Sequence, residues 1–121
     1  MSKLDLSIIK KNIPLDEVDI EIFDEIDSTN EECKRSISNK KLSVKIANKQ
    51  TKGRGRRGKN WSSPNTGNIY MSIAIKNFET DFPLSLSAGV ISYEAIRSIS
   101  KNDQLGLKWP NDIIFNSKKV G

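Results

Sequence analysis

The sequence predicts an α+β fold in which a mixed β-sheet packs against helices. Residues 68–75 alternate apolar and polar side chains, and this period is typical of a strand with one apolar face. Residues 84–99 carry apolar side chains at helical spacing, which indicates an amphipathic helix. The stretch 49–67 has neither period and is rich in glycine and arginine, so we predict a long loop of functional importance there.

The elements before this loop follow from shorter signals. A strand is predicted to begin at Ile20 and to end near Ile26. Ser28 follows, and Glu31 three positions later completes the pattern of a capping box, so a helix is predicted to run to about residue 38. Alternation at 44–47 predicts a second strand.

The last part of the chain predicts a group of short strands. Residues 105–108 and 113–115 are both predicted to be strands. Asn116-Ser117 is typical of a hairpin turn, after which Lys118 begins a partner strand. The chain stops at Gly121, just as this strand begins, so we expect a sheet that is truncated here.

Length and composition limit the class of protein. Residues 1–19 are predicted to be a lead-in segment, and residues 20–121 to form one incomplete domain. The net charge of +5 comes largely from 52–59, which favours a local anionic ligand over a general coat of nucleic acid. Cys33 is the lone cysteine, and no long apolar run is present, so we predict a cytoplasmic protein without a membrane anchor. Histidine is absent, which excludes His-based metal sites and Ser–His–Asp triads.

The strongest chemical signal is the loop Gly53–Gly58, which reads Gly-Arg-Gly-Arg-Arg-Gly. A dinucleotide fingerprint of this form must open a helix, and Trp61-Ser62-Ser63-Pro64 cannot begin one, so we reject that interpretation. Glycines let the backbone approach a ligand closely, and arginines suit carboxylate and phosphate groups. Composition alone leaves two alternatives open, a solvated basic turn and a small RNA-binding module.

Three further motifs each have a plain structural explanation beside a functional one. Lys108–Asp112 offers polar groups at a strand end, but Pro-Asn-Asp is also good turn chemistry. Ser28-Thr29-Asn30 fits a helix cap, and a helix start also binds polar ligands. Lys118-Lys119 fits an exposed surface. Trp61 and Trp109 are predicted to be packing residues rather than stacking platforms.

Taken together, the motifs resemble the biotin protein ligases, the biotin–[acetyl-CoA-carboxylase] ligases, from about Phe23 to the last residue. The blocks that carry the resemblance are, in order, Ile26–Asn30, Gln50 with Gly53–Gly58 and Trp61, Ser63-Pro64, Gly67–Ser72, Lys108–Asp112 and Lys119–Gly121. The resemblance implies a class II aminoacyl-tRNA synthetase/biotin ligase-like fold, of which this chain would be the N-terminal portion of the catalytic domain. It also implies that a small C-terminal β domain follows, while about twenty residues before the first strand leave no room for a DNA-binding domain in this chain.

The resemblance also assigns roles residue by residue. The positions that match biotin-binding residues are Ser28, Thr29, Asn30, Gln50, Arg54, Gly55, Arg56 and Lys119. The positions that match the nucleotide side are Arg57, Lys59, Trp61, Lys108, Asn111 and Asp112. Lys119 and Arg56 are expected to be catalytic, and no residue is assigned with certainty to a metal.

Two positions depart from the family pattern. Lys52 stands where a small residue is common, and Lys59 stands where arginine is common, so Lys59 keeps the charge but loses the forked donor geometry. The implied substrates are biotin and ATP with Mg²⁺, and the implied partner is a biotin carboxyl carrier domain of acetyl-CoA carboxylase or a similar enzyme. The alternative within the same fold is a lipoate–protein ligase.

Overall fold

A computed structural model describes residues 4–36, 38–76, 79, 81, 83–101 and 103–121. Its residues divide into two compact units, Met1–Phe78 and Glu79–Gly121, which are described separately below. Among the described residues, no helix combines the length and the apolar character that crossing a membrane requires.

The first unit is a three-stranded mixed sheet with helices. Its elements are α1 (Leu6–Lys10), β1 (Val18–Phe23), α2 (Thr29–Arg35), β2 (Leu42–Ala47), a short 3₁₀ turn (Arg56–Gly58) and β3 (Tyr70–Ile75). The strand order is β1-β2-β3, with β1 parallel to β2 and β2 antiparallel to β3. The predicted mixed sheet is therefore confirmed, and α2 forms the crossover that a parallel strand pair requires.

One face of this sheet forms the apolar core. Val18, Ile20 and Ile46 are buried there, because side chains at alternate positions of paired strands share a face. The segment before β1 also contributes, and the residues that pack against this core from it are Leu4, Leu6, Ile9 and Ile13. Four residues of the predicted lead-in segment 1–19 therefore cover this face of the sheet.

Several predicted boundaries differ from the observed ones. β1 begins at Val18 and ends at Phe23, while Ile26 makes only an isolated bridge with Gln50. α2 ends at Arg35 rather than near residue 38, because Ser36 takes an extended conformation while its N–H still donates to the carbonyl of Glu32. The alternating face of β3 is apolar as predicted, yet its side chains are 44–52% exposed in β3 itself.

The second unit combines one helix with an antiparallel sheet. Its elements are α3 (Leu84–Ser100), β4 (Leu105–Lys108), β5 (Asp112–Phe115) and β6 (Lys118–Lys119). The sheet order is β4-β5-β6, and Asn116 and Ser117 both have positive φ, which confirms the predicted hairpin turn. α3 packs against β4 and β5, and Leu105 and Ile113 are the buried apolar residues of this sheet.

The other face of the first sheet buries a charge. Lys45 of β2 is fully buried, and its ammonium group contacts the Glu21 carboxylate and lies 3.3 Å from the Ser36 hydroxyl. Glu21 is its partner in the parallel register, so the ion pair joins β1 to β2. Because Ser36 caps the end of α2, the same lysine also ties this helix to the sheet.

We expect the substitution Glu21→Gln to lower the free energy of unfolding by about 1–3 kcal/mol, since it leaves the buried Lys45 ammonium without a counter-charge although Glu21 itself is half exposed. The control is Glu25→Gln, because both Glu25 and its partner Lys49 are exposed, and its expected cost is at most about 1 kcal/mol. Urea denaturation measures both. Equal effects of the two substitutions would contradict the proposed importance of the Lys45–Glu21 pair.

Candidate functional site

The site in the first unit begins at the start of α2. Ser28 is the N-cap residue, since its hydroxyl accepts a hydrogen bond from the backbone N–H of Glu31 at 3.3 Å. Ser28 and Thr29 are both almost fully buried. The Asp27 carboxylate accepts from the Ser28 N–H at 2.7 Å and pairs with the Arg35 guanidinium, and these two contacts hold the pKa of Asp27 well below its ordinary value.

The Gln50 side-chain amide joins this helix start to the arginine loop, residues 53–63. Its oxygen accepts from the Thr29 N–H at 2.8 Å and from the Thr29 hydroxyl at 3.0 Å. Its NH₂ group donates to the Ser63 hydroxyl at 2.9 Å, and Ser63 in turn donates to the carbonyl of Trp61 at 3.1 Å. The Thr29 hydroxyl also lies 2.7 Å from that of Ser72 on β3, so one hydrogen-bond network spans the helix, the loop and the sheet.

The arginine loop is folded back on itself as a tight hairpin. The Gly55 N–H donates to the carbonyl of Lys59 at 2.6 Å, and the Trp61 N–H donates to that of Gly53 at 2.8 Å. At its tip, Arg57 has a left-handed conformation with φ 57°. The prediction of a long loop is thus confirmed, but the loop has local hydrogen-bonded structure that the apolar period could not indicate.

The cations of the loop differ in their partners. Arg54 pairs with the Glu31 carboxylate at 2.6 Å. The side chains of Arg56, Arg57 and Lys59 are exposed and make no ion pair with any residue that the structure describes. These three side chains remain available to an anionic ligand.

Two concave regions lie beside this network. The smaller has a volume of about 230 Å³, and the residues that line it are Ser28, Thr29, Asn30, Gln50, Arg54, Trp61, Ile69, Tyr70, Met71 and Ser72. The larger, of about 1050 Å³, shares Ser28, Gln50, Arg54 and Trp61 with it. The structure therefore brings together the predicted biotin-binding residues of the helix start with Gln50 and Arg54. Gly55 and Arg56 lie in the adjoining hairpin and line neither region.

Sequence reasoning missed the hydroxyls of Ser63 and Ser72. Both belong to the Gln50 network, and Ser63 is buried. Ser63 lies in a block that carries the resemblance, and Ser72 is a polar position in the alternation of β3, so weak signals existed. Trp109 is 73% exposed, so the prediction that it is a packing residue was wrong. Trp61 is 44% exposed and lines both concave regions.

The second unit contains the other predicted site residues. Lys108 and Asp112 are opposite each other in the β4–β5 register, and Asn111 lies in the turn between these strands. The structural alternative for this motif, a turn, is therefore confirmed as its local conformation. Lys119 of β6 reaches the same end of the sheet, with its ammonium 3.2 Å from the Asp112 carboxylate.

Comparison with known protein families shows which family the chain belongs to. Residues 22–121 match the model of the biotin/lipoate A/B protein ligase family. The chain belongs to this family. The resemblance that the motifs indicated is therefore confirmed.

Individual relatives support this family membership. The chain is 34% identical over 110 residues to the bifunctional ligase/repressor BirA of Escherichia coli, covering 88% of this chain and 34% of that protein. It is 31% identical over 83 residues to a biotin–[acetyl-CoA-carboxylase] ligase of Mycobacterium tuberculosis, covering 64% of this chain and 31% of that protein. The chain thus spans about a third of the length of the curated relatives it matches.

Solved structures of this family confirm the predicted fold class. A biotin protein ligase from Aquifex aeolicus, solved in complex with biotin and ATP, matches with a TM-score of 0.70 and 36% identity over 84% of this chain and 44% of that chain. The ligase from Leishmania major in complex with biotinyl-5-AMP matches with a TM-score of 0.73 and 29% identity over 84% and 49%. The fold is therefore the class II aminoacyl-tRNA synthetase/biotin ligase-like α+β fold.

In this member of the family, the surroundings of Gly53 leave no room for a side chain. A Cβ atom there would lie 2.4 Å from the backbone oxygen of Trp61 and 2.5 Å from the Ser63 hydroxyl, so the hairpin and the Gln50 network would have to shift. At Gly55 the nearest atom to such a Cβ, the carbonyl oxygen of Lys59, is 3.4 Å away, and the φ of −93° suits any residue.

We expect Gly53→Ala to cost about 1–3 kcal/mol of folding free energy, the usual range for an overpacked site. The matched substitution Gly55→Ala should cost less than about 1 kcal/mol, because its methyl group meets only ordinary contacts. Denaturant unfolding of both variants checks this expectation. If Gly55→Ala proved the more damaging, the hairpin would not have the geometry described.

Proposed function

We propose that the protein is an ATP-dependent biotin ligase, which forms biotinyl-5′-adenylate and then transfers biotin to a lysine of a biotin carrier domain. The observation that carries this proposal is the small pocket beside the hydrogen bond from the Thr29 N–H to the Gln50 amide oxygen. Arg54 of the arginine loop also lines this pocket. Further support comes from relatives of the same family that were solved with biotin and ATP or with biotinyl-5-AMP.

The pocket suits a ligand with one polar and one apolar part. Its polar groups are hydroxyls, the Asn30 and Gln50 amides and the Arg54 guanidinium, while Trp61, Ile69 and Met71 provide a smaller exposed apolar surface. Biotin has a polar urea, an apolar ring system with its chain, and a terminal carboxylate. In this proposal, Ser28, Thr29, Asn30 and Gln50 hold biotin.

Activation brings two anions together, because the biotin carboxylate must attack the α-phosphate of ATP. Positioned cations offset their repulsion, and they are worth more in a site that excludes water. Arg56 is exposed and has no ion pair among the described residues, so it can turn toward the reacting groups. Lys119 is proposed to contact the carboxylate and phosphate in the same step, and Gly55 allows close approach of the loop backbone.

A role in nucleotide binding is proposed for Arg57, Lys59 and Trp61 of the first unit, and separately for Lys108, Asn111 and Asp112 of the second unit. Mg²⁺ is proposed to accompany the phosphates of ATP, since it is usually held by one or two carboxylates together with phosphate oxygens. Within the described residues, no cluster of three acidic, cysteine or histidine side chains exists that would hold a metal by itself. Asp112 is the carboxylate that this assignment offers to the ion.

Transfer requires no nucleophile from the protein, because the carrier lysine attacks the mixed anhydride. This agrees with Cys33, since burial raises the pKa of its thiol and disfavours the reactive thiolate. The partner is proposed to be the biotin carboxyl carrier domain of acetyl-CoA carboxylase or a similar enzyme, and the cytoplasm is proposed as the location because Cys33 is the lone cysteine.

A lipoate–protein ligase is the second candidate, because the matching family model covers biotin and lipoate ligases together. The relatives named above favour biotin. Isothermal calorimetry with biotin, then with ATP added, tests the proposal directly. We expect saturable binding of biotin, further heat and pyrophosphate release on addition of ATP, and no competition by lipoate. Binding of lipoate in preference to biotin would overturn the assignment.

We expect Lys119→Ala to reduce pyrophosphate release much more than biotin affinity, because a cation beside developing phosphate charge acts mainly in the transition state. Lys118→Ala is the matched control, since Lys118 is the exposed neighbour on the same strand and should leave both quantities unchanged. Pyrophosphate release and calorimetry provide the two measurements. A Lys119→Ala variant with normal turnover and only a raised biotin requirement would refute its catalytic role.

A further inference from the structure

Glu31 occupies the third position of α2, where a glutamate commonly completes a capping box by accepting the N–H of the cap residue. The structure differs from that expectation. The Ser28 N–H donates instead to the Asp27 carboxylate at 2.7 Å. The Glu31 side chain is thereby released from capping, and its carboxylate reaches Lys34 at 3.1 Å and Arg54 at 2.6 Å.

The contact with Arg54 spans 23 positions of the sequence and fastens the arginine loop to α2. Among the described residues, no other side-chain ion pair joins the hairpin 53–60 to this helix. Both partners line the larger concave region, and Arg54 lines the smaller pocket as well. The Glu31 carboxylate therefore pairs with the Arg54 guanidinium, which an anionic ligand of this pocket would also contact.

We infer that Glu31 is a positioning residue, whose carboxylate holds Arg54 until the carboxylate of the substrate replaces it. This inference rests on the proposed function, because it names biotin as the competing anion. One anionic group exchanges for another of the same kind on the same guanidinium, so the loop changes partners without leaving Arg54 unpaired. Glu31 thus lowers the affinity of the site for its anionic substrate.

The expected size follows from the exposure of the pair. The side chains of Arg54 and Glu31 are 51% and 29% exposed, so salt screens the contact and its worth is that of a surface ion pair. Releasing Arg54 from such a pair corresponds to a gain in affinity of about two- to fivefold. The gain should vanish at high ionic strength, whereas a change in packing would not respond to salt.

The test compares Glu31→Gln with Glu32→Gln by calorimetric titration of biotin into the protein at low and at high salt. Glu32 is the matched control, because it is the neighbouring acid on α2 and pairs with Arg35 at 2.7 Å rather than with the loop. We expect Glu31→Gln to bind biotin about two- to fivefold more tightly at low salt and equally at high salt. Glu32→Gln should match the unaltered protein in both conditions.

The other outcomes separate this inference from the proposed function. Unchanged or weaker binding by Glu31→Gln, an effect independent of salt, or an equal gain in Glu32→Gln would each overturn the role of Glu31 while leaving a biotin site in place. If the unaltered protein bound no biotin at all, the proposed function would fall, and the inference with it.

Discussion

The hydrogen bonds of one amide, that of Gln50, determine the arrangement of the candidate site. Its oxygen accepts from Thr29 at the start of α2, and its nitrogen donates to Ser63 at the far end of the arginine loop. Each such bond contributes only about 1 kcal/mol net, but an unsatisfied buried polar group costs about 1–3 kcal/mol. Because Thr29 and Ser63 are buried, the loop cannot leave this position without leaving polar groups unpaired. The pocket wall is therefore set by a polar network rather than by apolar packing.

This construction suits a reaction that depends on charge rather than on a protein nucleophile. The hairpin of the loop begins at Gly53, where no Cβ would fit, and ends at Trp61, whose N–H donates to the Gly53 carbonyl. Between these ends, Arg56, Arg57 and Lys59 project without ion pairs among the described residues. In the proposed reaction, these cations would meet the phosphate charge of ATP. Such cations contribute most where charge develops in the transition state.

Local patterns in the sequence were sufficient to predict β4, β5, the Asn116–Ser117 turn and the Ser28 cap, because each depends on neighbouring residues alone. Contacts between distant residues were not predictable in this way. The burial of Lys45 depends on its parallel register with Glu21, and neither residue signals the other locally. The contribution of residues 4–13 to the core was unpredictable for the same reason, since these apolar side chains pack against a sheet face formed by residues distant in sequence. The motifs predicted candidate site residues, whereas the hydrogen-bond partners that connect them, such as Ser63 and Ser72, were found only in the structure.

The organising role of the Gln50 amide is tested most directly by the biotin dissociation constant of Gln50→Ala, measured by calorimetry against that of the unaltered protein. Removing the amide takes away the bonds to both Thr29 and Ser63, so the helix start and the loop lose their common support. A loss of three hydrogen bonds of about 1 kcal/mol each predicts biotin binding weakened at least tenfold, with secondary structure retained by circular dichroism. Unchanged biotin affinity in a folded Gln50→Ala variant would contradict the claim that this amide organises the site.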